Sequence, residues 1–498
     1  MKLSEILKDV PHEMVQMGAT EEILSITLDS RDVKAGSLFV CIRGLTTDGH
    51  EFIDTAVKAG AVAIMVEDFG GGSGGVNPEE GGWVDEAFAT NASVSIIRVK
   101  NTRQAMAYVA ANFHGNPAEK LRFIGVTGTN GKTTTTYFIE EILRGCGRST
   151  GLIGTVGAKV NNKPLDIAFT TSTTPDPLEL HSIFAKMVEM GVQDVVMEVS
   201  SHALALYKVE GLTFNVGVFT NLTQDHLDFH GTMDNYRLAK AKLFTQSNFA
   251  VLNVDDESTP VMLDIHGHDP YLTYSIESHS DMQAVDIQYQ SQGFEFNVND
   301  EKFTLPINGR FNIYNTLAAI GSAKALGLPM DGIRAAVAQL SGVPGRIQSV
   351  PNNRNVHVLV DYAHSPDGLA NIIPSVRDFT TGRVITLFGC GGDRDKTKRP
   401  IMGEIAAKLS DYCILTSDNP RTEDPLTILA EIEVGTKATN TPYEICENRK
   451  TAIQRGIAML KSGDALIIAG KGHEDYQEIG TEKIHFSDFE CAEAFLKD

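Results

Sequence analysis

The chain has 498 residues, 42% of them hydrophobic and 21% charged, the balance of an ordinary soluble globular protein with material for about three domains. Its formal net charge of −21 argues against a general nucleic-acid role, because phosphate backbones need basic surfaces; an anionic substrate would have to meet local clusters of Arg and Lys. No run approaches about 18 apolar residues, so no membrane span is expected, and Cys41, Cys146, Cys390, Cys413, Cys446 and Cys491 form no C-x-x-C pair, which fits reduced cytoplasmic thiols rather than a disulfide frame or zinc site.

The opening MKLSEILKDV is amphipathic and has neither the apolar run nor the cleavage pattern of a secretory signal. Residues 1–101 read as a first unit of mixed short elements, with a strand at Ser37–Arg43 and a helix running into a strand over Ala56–Val66. Within it, Gly70–Gly82 reads as a flexible surface loop. From 102 to 344 strands and helices alternate, with strands expected at Phe123–Val126, Val195–Glu198, Val216–Thr220 and Ala250–Asn253. The alternation resumes from 345 to 498, with strands at Val356–Val360, Val384–Phe388, Cys413–Thr416 and Ala465–Ala469. Such alternation predicts an α/β protein whose parallel sheets are covered by helices.

Residues 125–134 read GVTGTNGKTT directly after an apolar run, a strand feeding a glycine-rich turn and then a helix starting near Lys132. In such a turn Gly128, Thr129, Asn130 and Gly131 crowd backbone N–H groups around phosphate oxygens. Lys132 adds a point charge, Thr133 a hydroxyl for Mg²⁺, and Thr134 continues the helix whose N-terminal dipole favours anions. The segment therefore predicts nucleoside triphosphate binding, although its glycines, at 125 and 128, depart from the usual spacing.

Every other polar motif also follows an expected strand. Glu198-Val199-Ser200-Ser201-His202 and Asn221–His226 do so in the middle of the chain. In the last third Asp361–His364, Gly391–Arg394, Asp418–Arg421 and Gly470–Glu474 do the same. Open α/β sheets bind ligands beyond the carboxyl ends of their strands, so two sheets carrying such rows predict an active site between two domains. Glu198 and His226 could hold a divalent ion beside the triphosphate, or be a helix cap and a hydrogen-bonded loop residue. Lys240, in a helical pattern, reads on its own as a solvated lysine. Arg394 and Arg421 offer two guanidiniums suited to a carboxylate, and Gly470–Glu474 a carboxylate for an amine; together they describe a pocket for a zwitterionic amino acid.

These motifs, in this order, resemble those of the Mur ligases of peptidoglycan synthesis. The resemblance runs over nearly the whole chain, from Thr-Leu-Asp-Ser-Arg (27–31) through Gly-Arg-Phe-Asn (309–312) to Gly-Lys-Gly-His-Glu (470–474). It implies three domains: a first that binds a uridine nucleotide (1–101), a central phosphate-loop ATPase-like one (102–344), and a Rossmann-like one that closes over the site (345–498). Leu28 and Ser30 would contact the uridine end, and Ser172, Thr173, Thr174, Ser200 and Lys208 the muramoyl-dipeptide. Glu198 and His226 would bind magnesium, with Lys240 carbamylated into a carboxylate-like ligand. Asn312 would approach adenine and Arg346 the phosphates, while Asp361 would act near the hinge. Asp418, Asn419, Pro420 and Arg421 resemble the motif of members that use meso-diaminopimelate, with Arg394, Gly470 and Glu474 completing that pocket. An unpaired Arg421 would then reject lysine by something like ~10⁴-fold. The implied reaction is ATP-dependent amide formation through an acyl phosphate, in a cytoplasmic monomer. Leu206, Lys208 and Gln348 depart from the family's usual residues at their positions. The alternatives are the L-lysine-adding form of the same ligase, a folylpolyglutamate-type ligase, against which residues 1–101 and Asp418–Arg421 argue, and, from other classes, a phosphate-loop kinase or nucleotide switch and a non-catalytic nucleotide-binding module.

Overall fold

A computed structural model of the chain describes all residues except 45–46, 68–92, 168–172, 291–292 and 498. The whole Gly70–Gly82 loop and Ser172 lie outside the described residues. Three sheets dominate. The first has five strands in the spatial order Glu13–Gln16, Ser95–Val99, Ala61–Glu67, Ser37–Val40 and Ser25–Thr27, parallel apart from the antiparallel Glu13–Gln16. Helix Thr102–Phe113 lays Met106, Val109 and Ala110 on it, beside Leu3 and Ile6 of the N-terminal helix, and Leu178 of the central region reaches the same core.

The central sheet has nine strands. Strand Arg122–Thr127 lies at its middle, parallel to Val216–Phe219 on one side and Asp194–Glu198 on the other. These three runs, all buried, are the near-continuous apolar segments expected of a parallel sheet covered on both faces. Helices Lys132–Gly145 and Phe311–Ala325 pack together over one face through Phe138, Ile142, Ile313, Leu317 and Ile320. The third sheet sets His357–Asp361, Ala465–Ala469, Val384–Phe388 and Tyr412–Leu415 side by side and parallel.

The α/β alternation expected for 102–344 is interrupted twice. The central sheet ends in antiparallel strands at Gly157–Val160 and Lys163–Pro164, and Val285–Tyr289, Phe294–Val298 and Glu301–Leu305 form a separate antiparallel meander. The meander follows from its sequence. Phe294, Phe296, Val298, Phe303 and Leu305 alternate inward, and Asn299 and Asp300 both take positive φ, 48° and 65°, as a tight hairpin turn requires. No described helix is long and apolar enough to cross a membrane.

Candidate active site

The three adjacent central strands deliver three motifs to one edge: the phosphate loop, Glu198, and the loop from Thr220 to His226. The turn is built tightly against its neighbour. A Cβ at Gly128 would stand 1.8 Å from Thr220 Oγ1, and one at Gly131, where φ is +81°, 2.5 Å from Asn315 Oδ1. Only glycine fits either position. Asn221 shapes the loop from outside: its carbonyl accepts from Thr129 N (2.8 Å) and its Oδ1 from Asn130 N (2.9 Å).

Lys132 folds back over the loop, its Nζ donating to the carbonyls of Gly128 (3.0 Å) and Thr129 (2.8 Å). Lys240 Nζ donates to the same Gly128 carbonyl at 2.7 Å. Lys240 is only 1% exposed, which overturns the expectation of a solvated helix lysine. Its helix, Met233–Ala241, buries Tyr236 and Lys240 one turn apart against the phosphate loop, and the ammonium lies 4.5 Å from the Tyr236 ring centre. Burial, and then the neighbouring Lys132 charge, hold the Lys240 amine well below the usual lysine range.

On the other side of the loop Thr133 Oγ1 donates to Glu198 Oε2 (3.1 Å), while Glu198 Oε1 accepts from Thr155 N (2.8 Å). A hydroxyl and a buried carboxylate converging at a phosphate loop are hard oxygen donors of the kind a magnesium ion takes. Among the described residues no hydrogen bond joins His226 to that pair. His226 has φ +52° at the start of the short helix Leu227–His230, with its ring against His202 (4.8 Å between centres) and Tyr236 (6.2 Å). Burial lowers the pKa of His226, and burial with the neighbouring imidazoles holds His202 at about 4, so both rings are neutral near pH 7. Among the described residues no cluster of three His, Cys, Asp or Glu side chains is arranged around a metal. Glu198 and His226 both lie near Lys132, whose charge each of them feels or offsets.

Thr173, Thr174, Ser200 and Lys208 gather behind Glu198. Thr174 Oγ1 donates to the Glu198 carbonyl (3.0 Å), and Ser200 N donates to Thr174 Oγ1 (3.2 Å). Thr173 Oγ1 meets Thr155 Oγ1 (3.2 Å), and Lys208 Nζ pairs with Asp176 (2.9 Å). Leu28 and Ser30 follow the edge strand Ser25–Thr27 of the first sheet; among the described residues no hydrogen bond joins them to the phosphate loop. Asn312 and Asn315, at the start of helix Phe311–Ala325, bond each other (3.0 Å), and Asn315 Oδ1 accepts from Thr135 in the phosphate-loop helix (3.2 Å).

The third sheet presents the second row. Its connection to the central domain is bonded tightly: Asp361 accepts from Ile347 N and Ala363 N (both 2.7 Å), its burial raising the carboxyl pKa, and Gln348 Oε1 accepts from Gly345 N (2.8 Å). Arg346 stacks over Tyr362 (5.0 Å) and reaches Thr133 Oγ1 (3.3 Å). A cleft of about 530 Å³ opens beside it, lined by Tyr137, Lys159 and Asn308 among others. Sequence reasoning missed Asp367, whose Oδ2 accepts from Asn130 of the phosphate loop and from Thr223 Oγ1 (3.0 Å). Its position behind Ser365-Pro366 at a helix start signals only a cap.

Asp418–Arg421 and Gly470–Glu474 interlock. Lys471, wholly buried, donates to Asn419 Oδ1 (3.0 Å) and Glu474 Oε2 (2.9 Å), and Asn419 Nδ2 donates to the same Glu474 oxygen (2.9 Å). Asp418 Oδ1 accepts from Asn419 N (2.7 Å), and its Oδ2 would stand 2.5 Å from a Cβ at Gly470. Pro420 O would lie 1.9 Å from a Cβ at Gly392. Arg421 Nη1 donates to Gly392 O (2.8 Å), and Arg421 and Arg394 both border Gly391, Arg394 exposed with its Nη1 on Asp393 O (3.1 Å). Behind the pocket the fully buried Arg449 pairs with Asp488 of the last helix (2.7 Å) and donates to Ala469 O and Ser417 O, the residues before the two loops.

Fold and site together define a three-domain α/β protein with a phosphate loop facing a second row of charged loops across a domain boundary. The Mur ligase family, catalytic domain model matches residues 22–114, the Mur ligase middle domain model 126–323, and the Mur ligase, glutamate ligase domain model 345–472. The chain is 43% identical over 506 aligned positions to the UDP-N-acetylmuramoyl-L-alanyl-D-glutamate--2,6-diaminopimelate ligase of Clostridium perfringens, with all of both chains covered. A solved structure with the same enzyme name superposes with a TM-score of 0.68 at 29% identity, over 100% of this chain and 99% of that one. The fold extends to the ADP complex of Mycobacterium tuberculosis folylpolyglutamate synthase (TM-score 0.61, 18% identity, 74% of this chain and 91% of that one). The chain belongs to the Mur ligase family.

Proposed function

We propose that the protein is an ATP-dependent amide ligase that adds meso-2,6-diaminopimelate to UDP-N-acetylmuramoyl-L-alanyl-D-glutamate, as its full-length relatives are named to do. The observation that carries this reading is the junction of the two rows of loops. Arg346 meets Thr133, and Asp367 meets Asn130, so a triphosphate on one sheet would face an amino acid on the other.

The glutamyl carboxylate of the dipeptide attacks the γ-phosphorus, giving an acyl phosphate and ADP. The amine of the amino acid then attacks that carbonyl, and phosphate leaves. Lys132, Arg346 and the backbone N–H groups of Gly128–Thr134 stabilise charge on the transferring group, with adenine near Asn312. Thr133 and Glu198 would hold Mg²⁺, with a carbamylated Lys240 and His226 beside the triphosphate; the ion would offset phosphate charge. The uridine end lies by Leu28 and Ser30, the muramoyl-dipeptide by Ser172, Thr173, Thr174, Ser200 and Lys208, and the amino acid by Arg394, Asp418–Arg421, Gly470 and Glu474. The protein works as a cytoplasmic monomer that supplies cell-wall precursor, and through it cell shape and division.

The test is whether ADP release requires the dipeptide and diaminopimelate together. Release without any amino acid would favour the kinase alternative.

Asp367 gives a separate expectation. Its carboxylate bonds the phosphate loop and Thr223 across the domain boundary, and such bonds would help domain closure keep water from the acyl phosphate. A hydrogen bond to a charged group is worth roughly 1.5–3 kcal/mol, so Asp367→Ala should lower turnover roughly ten- to hundred-fold. It should also raise the ratio of ADP to amide above one, whereas Asp367→Asn, which keeps an acceptor oxygen, should stay coupled. Equal coupling in the wild type and Asp367→Ala would exclude this role.

A further inference from the structure

The amino-acid pocket contains a carboxylate that the reaction leaves unassigned. Arg421, in the left-handed region (φ +51°), is clamped to the hairpin Tyr476–Ile479 and Glu482–His485: its N donates to Glu478 O (3.1 Å) and its O accepts from Gly480 N (2.7 Å). Its Nε donates to Glu478 Oε2 at 3.0 Å, both side chains being about one quarter exposed or less. Among the described residues Arg421 Nη2 and Glu478 Oε1 have no hydrogen-bond partner, so each group keeps one unused edge. Lys483, directly across the hairpin from Glu478, does not neutralise it; its ammonium lies over the Tyr476 ring, 4.3 Å from the centre.

The pocket is therefore two-ended. Asn419 and Arg421, two residues apart on one loop, hold Glu474 and Glu478, four residues apart on the facing segment. A guanidinium and a carboxylate side by side, each with a free edge, complement one carbon that bears both a carboxylate and an ammonium. We propose that Glu478 is a specificity-determining residue: it takes the distal ammonium of the incoming amino acid while Arg421 takes the carboxylate on the same carbon. This rests on the assignment of diaminopimelate to this pocket and adds what distinguishes its distal amino-acid centre from a plain distal acid. It also changes the expected basis of lysine rejection. Arg421 is already paired, so lysine would not leave it bare, and the penalty falls short of the ~10⁴-fold expected for an unpaired group.

The test compares meso-diaminopimelate with L-2-aminopimelate, which keeps the distal carboxylate and lacks the distal amine, in wild type and Glu478→Gln. Loss of one charged hydrogen-bonding partner corresponds to roughly ten- to hundred-fold. Wild type should prefer meso-diaminopimelate by about that factor in kcat/KM. Glu478→Gln should bring the ratio close to one by raising the KM for meso-diaminopimelate, leaving the KM values for ATP and dipeptide as they were. Equal improvement of both substrates would make Glu478 a mere occupant of Arg421, and equal loss a structural strut; either overturns the proposal. Arg421→Ala separates the two layers. Unchanged diaminopimelate kinetics there would remove the pocket assignment and this proposal with it. Lost turnover there, with an unchanged substrate ratio in Glu478→Gln, would remove the proposal alone.

Discussion

Replacing Lys132 with alanine is expected to lower ADP release by about 10³-fold or more, the scale on which single charge-stabilising groups act in phosphoryl and acyl transfer. Lys132 opens the helix Lys132–Gly145, and its ammonium rests on two phosphate-loop carbonyls, Gly128 O and Thr129 O. Those contacts are weak substitutes for phosphate oxygens, and the side chain has only to swing outward to meet a triphosphate. Burial lowers the Lys132 pKa, the adjacent Glu198 carboxylate opposing that shift, so an arriving polyanion stabilises a charge that burial disfavours. The thermal midpoint should change little, because the lysine bonds only its own loop. Wild-type ADP release by Lys132→Ala would remove the phosphate loop from the chemistry.

The second large effect is expected at Lys240. Two ammonium groups, Lys132 and Lys240, converge on the single carbonyl of Gly128, at 3.0 and 2.7 Å, inside a buried site. Like charges so placed repel, and Lys240 carries the stronger burden of burial. Its proton is thus held less tightly than that of a free lysine, which favours the neutral amine; that amine attacks carbon dioxide with release of a proton, and the resulting carbamate would replace repulsion of Lys132 with attraction. Lys240→Ala should reduce turnover by about 10²-fold or more. Wild type incubated with ¹³C-bicarbonate should give a carbamate carbon resonance that Lys240→Ala lacks. A fully active Lys240→Ala variant, or no such resonance in the wild type, would count against the modification.

Much of this organisation is legible in the sequence because parallel strands buried on both faces leave apolar runs with polar punctuation. Ala250–Asn253, Val384–Phe388 and Ala465–Ala469 coincide with the strands formed, and the motifs follow them in both sheets. Lys240 was not legible from its own pattern. A helix that presents Tyr236 and Lys240 on one face looks amphipathic whether that face meets solvent or a phosphate loop, and only the tertiary neighbour decides. Asp367 and Glu478 were hidden for a related reason. Each occupies a position where a carboxylate is ordinary, a helix start and a short hairpin strand, and takes on meaning only through partners at 130, 223 and 421. The meander at 285–305 carried its signal in alternating Phe and Val around Asn299-Asp300, masked by the surrounding α/β rhythm.

The most direct measurement is ADP release from ATP with UDP-N-acetylmuramoyl-L-alanyl-D-glutamate, comparing meso-diaminopimelate with L-lysine and with no amino acid. The two-ended pocket predicts release with meso-diaminopimelate, at least about ten-fold less with lysine, and none above background without an amino acid. Equal release with lysine would contradict the roles of Arg421 and Glu478, and release that needs no amino acid would contradict amide ligation itself.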